Sequence, residues 1–475
     1  MPVDRASDTP GGFGYSERGV SGFRRDLAAA CAVPSIVFLA VYGSAAGHGF
    51  ISDDFAWIVQ SRIAHMRDLL AIFTRQNGFY RPAVTLSFGV NQAIFGNHPL
   101  GYGLTNLALA AGCGVLLYRL LRVLLMPARA ALLGSALWLL NFHGIAMAIL
   151  WISGRTALLL TAASLAAAIA LVRGRTWTAA VFLAVALLSK EEAVALPFIL
   201  LVWLVVLPDL PSAGRRNRAL LWMALSGAVL AIYAALRAHS GAMTPATAPD
   251  FYRFTFVPRL VGANALAYAD RALTFPAAVS LLAFAVLRPA TAIRVSWPRL
   301  VCGLAWIAGG YGLTLFLPVR SSLYACFPSV GASVIAAEVC GAMWQASQMK
   351  SHQRAIVAGI VLLVCLAPVY HVRNRRWVEP ARFSASILQQ LQGMTATVPD
   401  NSNIVLFDDR EKRVNLESTF GTLINEAYFV QTGRHLALWI EPPLRDAALA
   451  GLVRPCERCV SATFTVRNGA LTAGR

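Results

Sequence analysis

Asp53 and Asp54 stand side by side in Phe50-Ile51-Ser52-Asp53-Asp54-Phe55, directly after the first long apolar stretch of the chain. Like charges this close raise one another's pKa, and partial burial at a membrane surface adds desolvation in the same direction. One of the two is therefore a candidate general base for a hydroxyl, or the pair is a candidate holder of a divalent cation. The competing reading is a helix N-terminus carrying interface charge, because Ser52 and both aspartates precede an apolar run.

Three basic residues belong with them by position. Arg155 closes Trp151-Ile152-Ser153-Gly154-Arg155, Lys190 sits in Ser189-Lys190-Glu191-Glu192, and Arg320 opens Arg320-Ser321-Ser322-Leu323-Tyr324. Each falls at a tight link between apolar runs, on the side of the membrane where basic residues are otherwise sparse. Cations gathered there suit an anion, and a lipid-linked phosphate is the one at that depth. Snorkelling of single side chains to lipid headgroups is the alternative. Glu191 and Glu192 are expected to divide, one neutralising Lys190 and one facing water. His143, in Asn141-Phe142-His143-Gly144, reads either as a positioner of sugar or phosphate or as a satisfied interface histidine. Cys456 and Cys459 form a C-x-x-C with no companion metal ligands in the tail, which favours a local structural disulfide.

The elements that must position these groups are membrane helices. Of 475 residues 57% are hydrophobic and only 13% charged, about half the charge of an ordinary soluble domain. Apolar stretches of spanning length recur from 28 to 371, giving about eleven crossings. The net charge of +18, from 41 basic and 23 acidic residues, mostly punctuates the ends of those stretches, so topology rather than nucleic-acid binding explains it. With residues 1–27 as a cytoplasmic tail, the short inner loops hold the Arg119, Arg122 and Arg129 group and its equivalents, and the C-terminus lies outside. The expected fold is thus an all-α polytopic membrane protein over 28–371, followed by a small α/β outer domain over 375–475. The first outer loop, 48–99, reads as interfacial helices, with Met66, Leu69, Leu70 and Phe73 at helical spacing. Strands are expected at Asn403–Phe407 and Ala462–Val466. No phosphate-binding glycine loop, dinucleotide fingerprint or H-E-x-x-H is present.

Taken in order, these motifs resemble the membrane-embedded GT-C glycosyltransferases, most of all the multispan region of the transmembrane O-mannosyltransferases that target cadherins and their bacterial relatives. The resemblance runs over about residues 50–330. It is carried by Asp53-Asp54, Phe79-Tyr80-Arg81-Pro82, His98-Pro99-Leu100-Gly101-Tyr102, Asn141-Phe142-His143, Trp151 to Arg155, Leu188 to Glu191 and Arg320 to Tyr324. It implies a polyprenyl-phosphate-linked sugar as donor and inverting transfer to an acceptor hydroxyl at the periplasmic face of a bacterial inner membrane. It further implies Asp53 or Asp54 as base, and Arg155, Lys190 and Arg320 on the donor phosphate. Tyr80, Arg81, His143, Glu191 and Tyr324 would position substrate. The tetratricopeptide array of the cadherin-directed enzymes is absent here, which leaves the acceptor open among protein, glycolipid and polysaccharide. The rival class is a flippase or transporter of lipid-linked saccharides, using the same cations for phosphate and the acids for proton coupling.

Overall fold

The computed structural model describes residues 35–74, 78–207, 215–244, 247–408, 412–441, 460–467 and 469–473. Cys456, Cys459, the 1–27 tail and the first residues of the expected first span lie outside them.

The described chain is predominantly helical, with one small sheet near the C-terminus. Helix α1 covers Ser35–Ala45. The segment after it holds α2 (Asp53–Gln60), α3 (Met66–Thr74) and α4 (Pro82–Phe95). Next come α5 (Pro99–Val123), α6 (Ala128–Leu139), α7 (Ala146–Leu150), α8 (Arg155–Val172), α9 (Thr176–Leu187) and α10 (Leu196–Val206). The helical body ends with α11 (Arg215–His239), α12 (Pro258–Leu287), α13 (Trp297–Tyr311), α14 (Ser329–Gln345) and α15 (Met349–Met394). Proline at the first or second position opens α4, α5, α10, α12 and α13, where its fixed φ suits the turn and its missing N–H has no helical partner to lose.

Among the described residues, five helical segments are long and apolar enough to cross a bilayer: Pro99–Val123, Ile152–Val172, Arg215–His239, Pro258–Leu287 and Met349–Met394. The remaining apolar helices of the body are shorter, so length and composition bear out these five of the eleven expected crossings. Their burial sorts them. The apolar window of Ile152–Val172 is 78% buried and forms the centre of the bundle, whereas that of Met349–Met394 is 6% buried and lies on its periphery.

The bundle is closed by small residues and satisfied indoles. A Cβ on Gly331 would come within 2.3 Å of the Gly303 carbonyl oxygen, so α13 and α14 cross backbone to backbone. The indole N–H groups of Trp138, Trp203, Trp222 and Trp306 donate to the carbonyls of Cys326, Cys302, Pro197 and Phe327 at 2.9–3.0 Å, which removes the cost of burying them.

The C-terminal sheet has strand order β2-β1-β3-β4, with β1 (Asn403–Phe407) parallel to β2 (Ala437–Glu441) and β3 (Val460–Arg467), and β4 (Ala470–Ala473) antiparallel to β3. Helices α16 (Leu416–Phe420) and α17 (Ile424–Thr432) connect β1 to β2. Helix α15 runs unbroken through the expected boundary at 375 to Met394. The sheet also has no core of its own. Ile404, Leu406, Phe420 and Tyr428 share a single apolar cluster with Phe50, Phe55, Trp57, Phe88 and Tyr102 of the 48–102 region.

Candidate functional site

The two aspartates point different ways. Asp54 is turned into the protein and buried. One carboxylate oxygen accepts from the Ser153 backbone N–H (2.7 Å) and from the Ser153 hydroxyl, and the other accepts from the Ile51 N–H (2.9 Å). Burial pushes its pKa up to about 7 against the pull of those hydrogen bonds. Asp53 is exposed and takes part in none of the described ion pairs. Enough protein nevertheless surrounds it to raise its pKa, with the Arg81 guanidinium acting in the opposite direction. The turn that leads into them is strained. Ser52 adopts φ 46°, ψ −125°, a conformation suited to glycine, and is pinned by its N–H (2.8 Å) and hydroxyl (3.2 Å) to the Thr419 carbonyl.

A divalent cation shared by Asp53 and Asp54 does not fit this arrangement. Both Asp54 oxygens are engaged by N–H and O–H donors, and no group of three metal-ligating side chains occurs among the described residues.

Around Asp53 the structure assembles a cluster of charge and aromatic rings from four links between helices. Arg81, at the start of α4, makes a two-pronged ion pair with Glu191 at 2.6 and 3.0 Å and lies 4.0 Å over the Phe79 ring. Glu191 is pulled both ways: burial works to raise its pKa, and Arg81 prevails, holding it well below the usual carboxylate range. Lys190 is buried, paired with Glu192 at 2.6 Å and set 4.8 Å over the Tyr324 ring. Thus Glu192 neutralises Lys190, while Glu191 answers Arg81 rather than water. Tyr252 joins from the 250–252 turn; burial raises its hydroxyl pKa to about 12, and the nearby Asp53 charge adds to the shift. Backbone hydrogen bonds tie the links together, Ala83 to Leu188, Met243 to Gly78, and Val319 to Phe251.

Beside this cluster is a cavity of about 140 Å³ lined by Phe79, Glu191, Glu192, Arg237, Tyr252 and Tyr324, among others. At about 30 Å³ per water it has room for roughly five waters, the scale of one sugar ring. Arg237 reaches its wall and, among the described residues, is held by neutral groups, the Tyr233 hydroxyl (3.2 Å) and the Met243 carbonyl (2.9 Å). Arg320 is exposed, with Nε donating to Asn264 Oδ1 at 2.6 Å. Arg271 stands 5.7 Å from the Tyr268 ring, and its Nη1 is buried without a hydrogen-bond partner.

The other expected site residues lie elsewhere. Arg155 is 0% exposed, with its nitrogens donating to Asn106 Oδ1 (3.0 Å), the Ser87 carbonyl (3.2 Å) and the Tyr102 carbonyl (3.2 Å). It ties α4, α5 and α8 together, and no nitrogen faces the cavity. Tyr80 is buried with its hydroxyl on the Phe73 carbonyl. His143 contacts Arg373 at 2.9 Å and Asp270 at 4.0 Å, apart from the Asp53 cluster. Arg237 and Tyr252 were not singled out in the sequence, and Arg271 reads there, with Asp270, as an internal pair or an interface anchor. The first reads as a span-end arginine and the second as an ordinary loop tyrosine. Arg271 alone carried a signal, an arginine inside an apolar helix. Compared with known protein-family models and with curated proteins, the sequence yields no match, so the site is read from its own residues.

Proposed function

We propose that this protein is a membrane glycosyltransferase that moves a sugar from a polyprenyl-phosphate carrier to an acceptor hydroxyl, with inversion, at the periplasmic face. The observation that carries the reading is the division of charge in the cluster beside the cavity and in the links next to it. Every carboxylate in the cluster except Asp53 is matched by its own cation, Glu191 by Arg81 and Glu192 by Lys190. Three further arginines, Arg237, Arg271 and Arg320, have no carboxylate partner among the described residues. A lone base opposite unmatched cations is the charge pattern of a displacement in which an alcohol loses a proton and a phosphate departs.

In that reaction the acceptor oxygen attacks the anomeric carbon while its proton passes to Asp53. The bond from the anomeric carbon to the phosphate oxygen breaks, and its electron pair leaves with the polyprenyl phosphate. Burial raises the Asp53 pKa, the direction useful to a base, and the Arg81 charge acts against that rise. Arg320 and the orphaned Nη1 of Arg271, both near Tyr268, supply donors for the departing phosphate. Arg155 and Lys190 are left out of that role, because the first is engaged with three backbone or amide oxygens and the second with Glu192.

The test is incubation of purified protein with radiolabelled polyprenyl-phosphate sugars and membrane acceptors. Label should leave the carrier in the wild type and remain on it in Asp53→Asn. Transport of intact carrier-linked sugar across vesicles without transfer would favour a flippase instead.

A further inference from the structure

We propose that the cleft between α1 and α15 is a binding site for one acidic diacyl phospholipid, distinct from the transfer site and independent of its chemistry. The two helices run side by side in the same direction. Asn374 Nδ2 donates to the Val41 carbonyl at 2.7 Å, and eight residues further on Gly49 meets the Ala381 carbonyl. Between them is a cavity of about 840 Å³, in the size range that holds small-molecule ligands.

Its lining changes character along its length. The lower wall is apolar, formed by Ile36, Val37, Ala40, Leu363, Val364 and Ala367. The upper wall is polar, formed by His48, His371, Asn374, Arg375, Glu379 and Arg382. At 1.5 Å per residue, α15 gives about 10 Å of apolar wall from 363 to 370 and about 16 Å of polar wall from 371 to 382. That sequence of surfaces matches acyl chain, then glycerol and phosphate.

The sign of the charge selects the headgroup. Glu379 is the one carboxylate among the described lining residues, and it is already held by Arg375 (3.0 Å) and by Arg413 (3.1 Å). Arg382 is exposed and has no carboxylate at ion-pair distance among the described residues. The polar end is therefore net positive, as an acidic headgroup requires.

The full chain in detergent should be titrated with phosphatidylglycerol or phosphatidylcholine of identical chains and read by native mass spectrometry. The first phosphatidylglycerol should bind at least about tenfold more tightly than the first phosphatidylcholine. Arg375→Gln combined with Arg382→Gln should remove that preference, and both positions are exposed, so folding is not at stake. Ala367→Trp, at an exposed position of the apolar wall, should weaken both lipids. Equal binding of the two lipids, or an arginine double variant that keeps its preference, overturns the proposal. Displacement of phosphatidylglycerol by millimolar inorganic phosphate would reduce the site to a bare anion contact and overturn it. So would displacement by an equal concentration of polyprenyl phosphate, which would make the cleft a carrier site. Asp53→Asn should bind phosphatidylglycerol like the wild type, so failure of the transferase reading leaves this result standing.

Discussion

Neighbouring carboxylates with opposite exposures are expected to fail differently when changed. Asp53→Asn should cut sugar transfer by about a hundredfold or more, the ordinary contribution of a positioned base, with thermal stability unchanged. Asp54→Asn replaces one acceptor oxygen with an N–H group in a site whose donors, Ser153 and Ile51, are fixed. One buried donor then faces another, so unfolding in detergent should come earlier by about 1–3 kcal/mol, whatever happens to turnover. The pH profile gives a second check. Because Asp53 titrates above an ordinary carboxylate, transfer should fall on the acid side at a higher pH than an unperturbed aspartate would give. Arg81 lowers that pKa, so Arg81→Gln should move the acid limb of the pH profile upward in initial rates. Arg271→Gln and Arg320→Gln should each raise the KM for lipid donor about tenfold with little change for acceptor; equal changes for both would remove the phosphate contact. The sequence made the aspartate pair visible but could not say which member faces solvent. That depends on Ser153, about a hundred residues away, and on the Ser52 turn, whose backbone is set by Thr419 in the C-terminal domain.

Among the elements, those whose signal is local were legible in the sequence. The helical spacing of Met66, Leu69, Leu70 and Phe73 appears as α3, and the two expected strands as β1 and β3. What could not be read was how they join. Hydropathy averages over a window and has no record of a break such as the 140–145 turn between α6 and α7, so one expected span is two helices. Composition suggested a boundary near 375 because arginines begin there, yet helix propensity carries α15 on to Met394. Close approaches were equally invisible. A Cβ at Gly49 would sit 2.2 Å from the Ala381 carbonyl oxygen, in rigid backbone on both sides. Gly49→Ala should therefore push the acid-bearing segment off α15, with an early melting transition as the readout. Ser52→Gly should act in the other direction. It relieves strain of order 1–3 kcal/mol and loses one partly buried hydroxyl contact worth about 1 kcal/mol, so a small gain in melting temperature is expected.

At the scale of the molecule, the C-terminal sheet and the 48–102 region are one body. Phe55 stacks on Phe420 at 6.0 Å, Asn97 donates to the Val430 carbonyl at 2.7 Å, and Arg62 covers the Phe429 ring at 4.3 Å. Truncation after Met394 would uncover Phe50, Phe55 and Ile58 and free the Ser52 turn. Such a protein should keep its membrane helices but lose transfer, and rapid proteolysis between 48 and 99 should accompany the loss. Survival of transfer in the truncated chain would detach the sheet from the site. For anyone building chimaeras, the shared core sets the rule of exchange. Enzymes that graft interchangeable recognition modules onto a constant engine need a seam that both halves can forget; here the Thr419 carbonyl is part of the engine. If the transferase reading holds, new acceptor preferences are expected to arise from the rim of the sheet, on β4 and the exposed ends of its strands, and not by wholesale replacement of the chain after Met394.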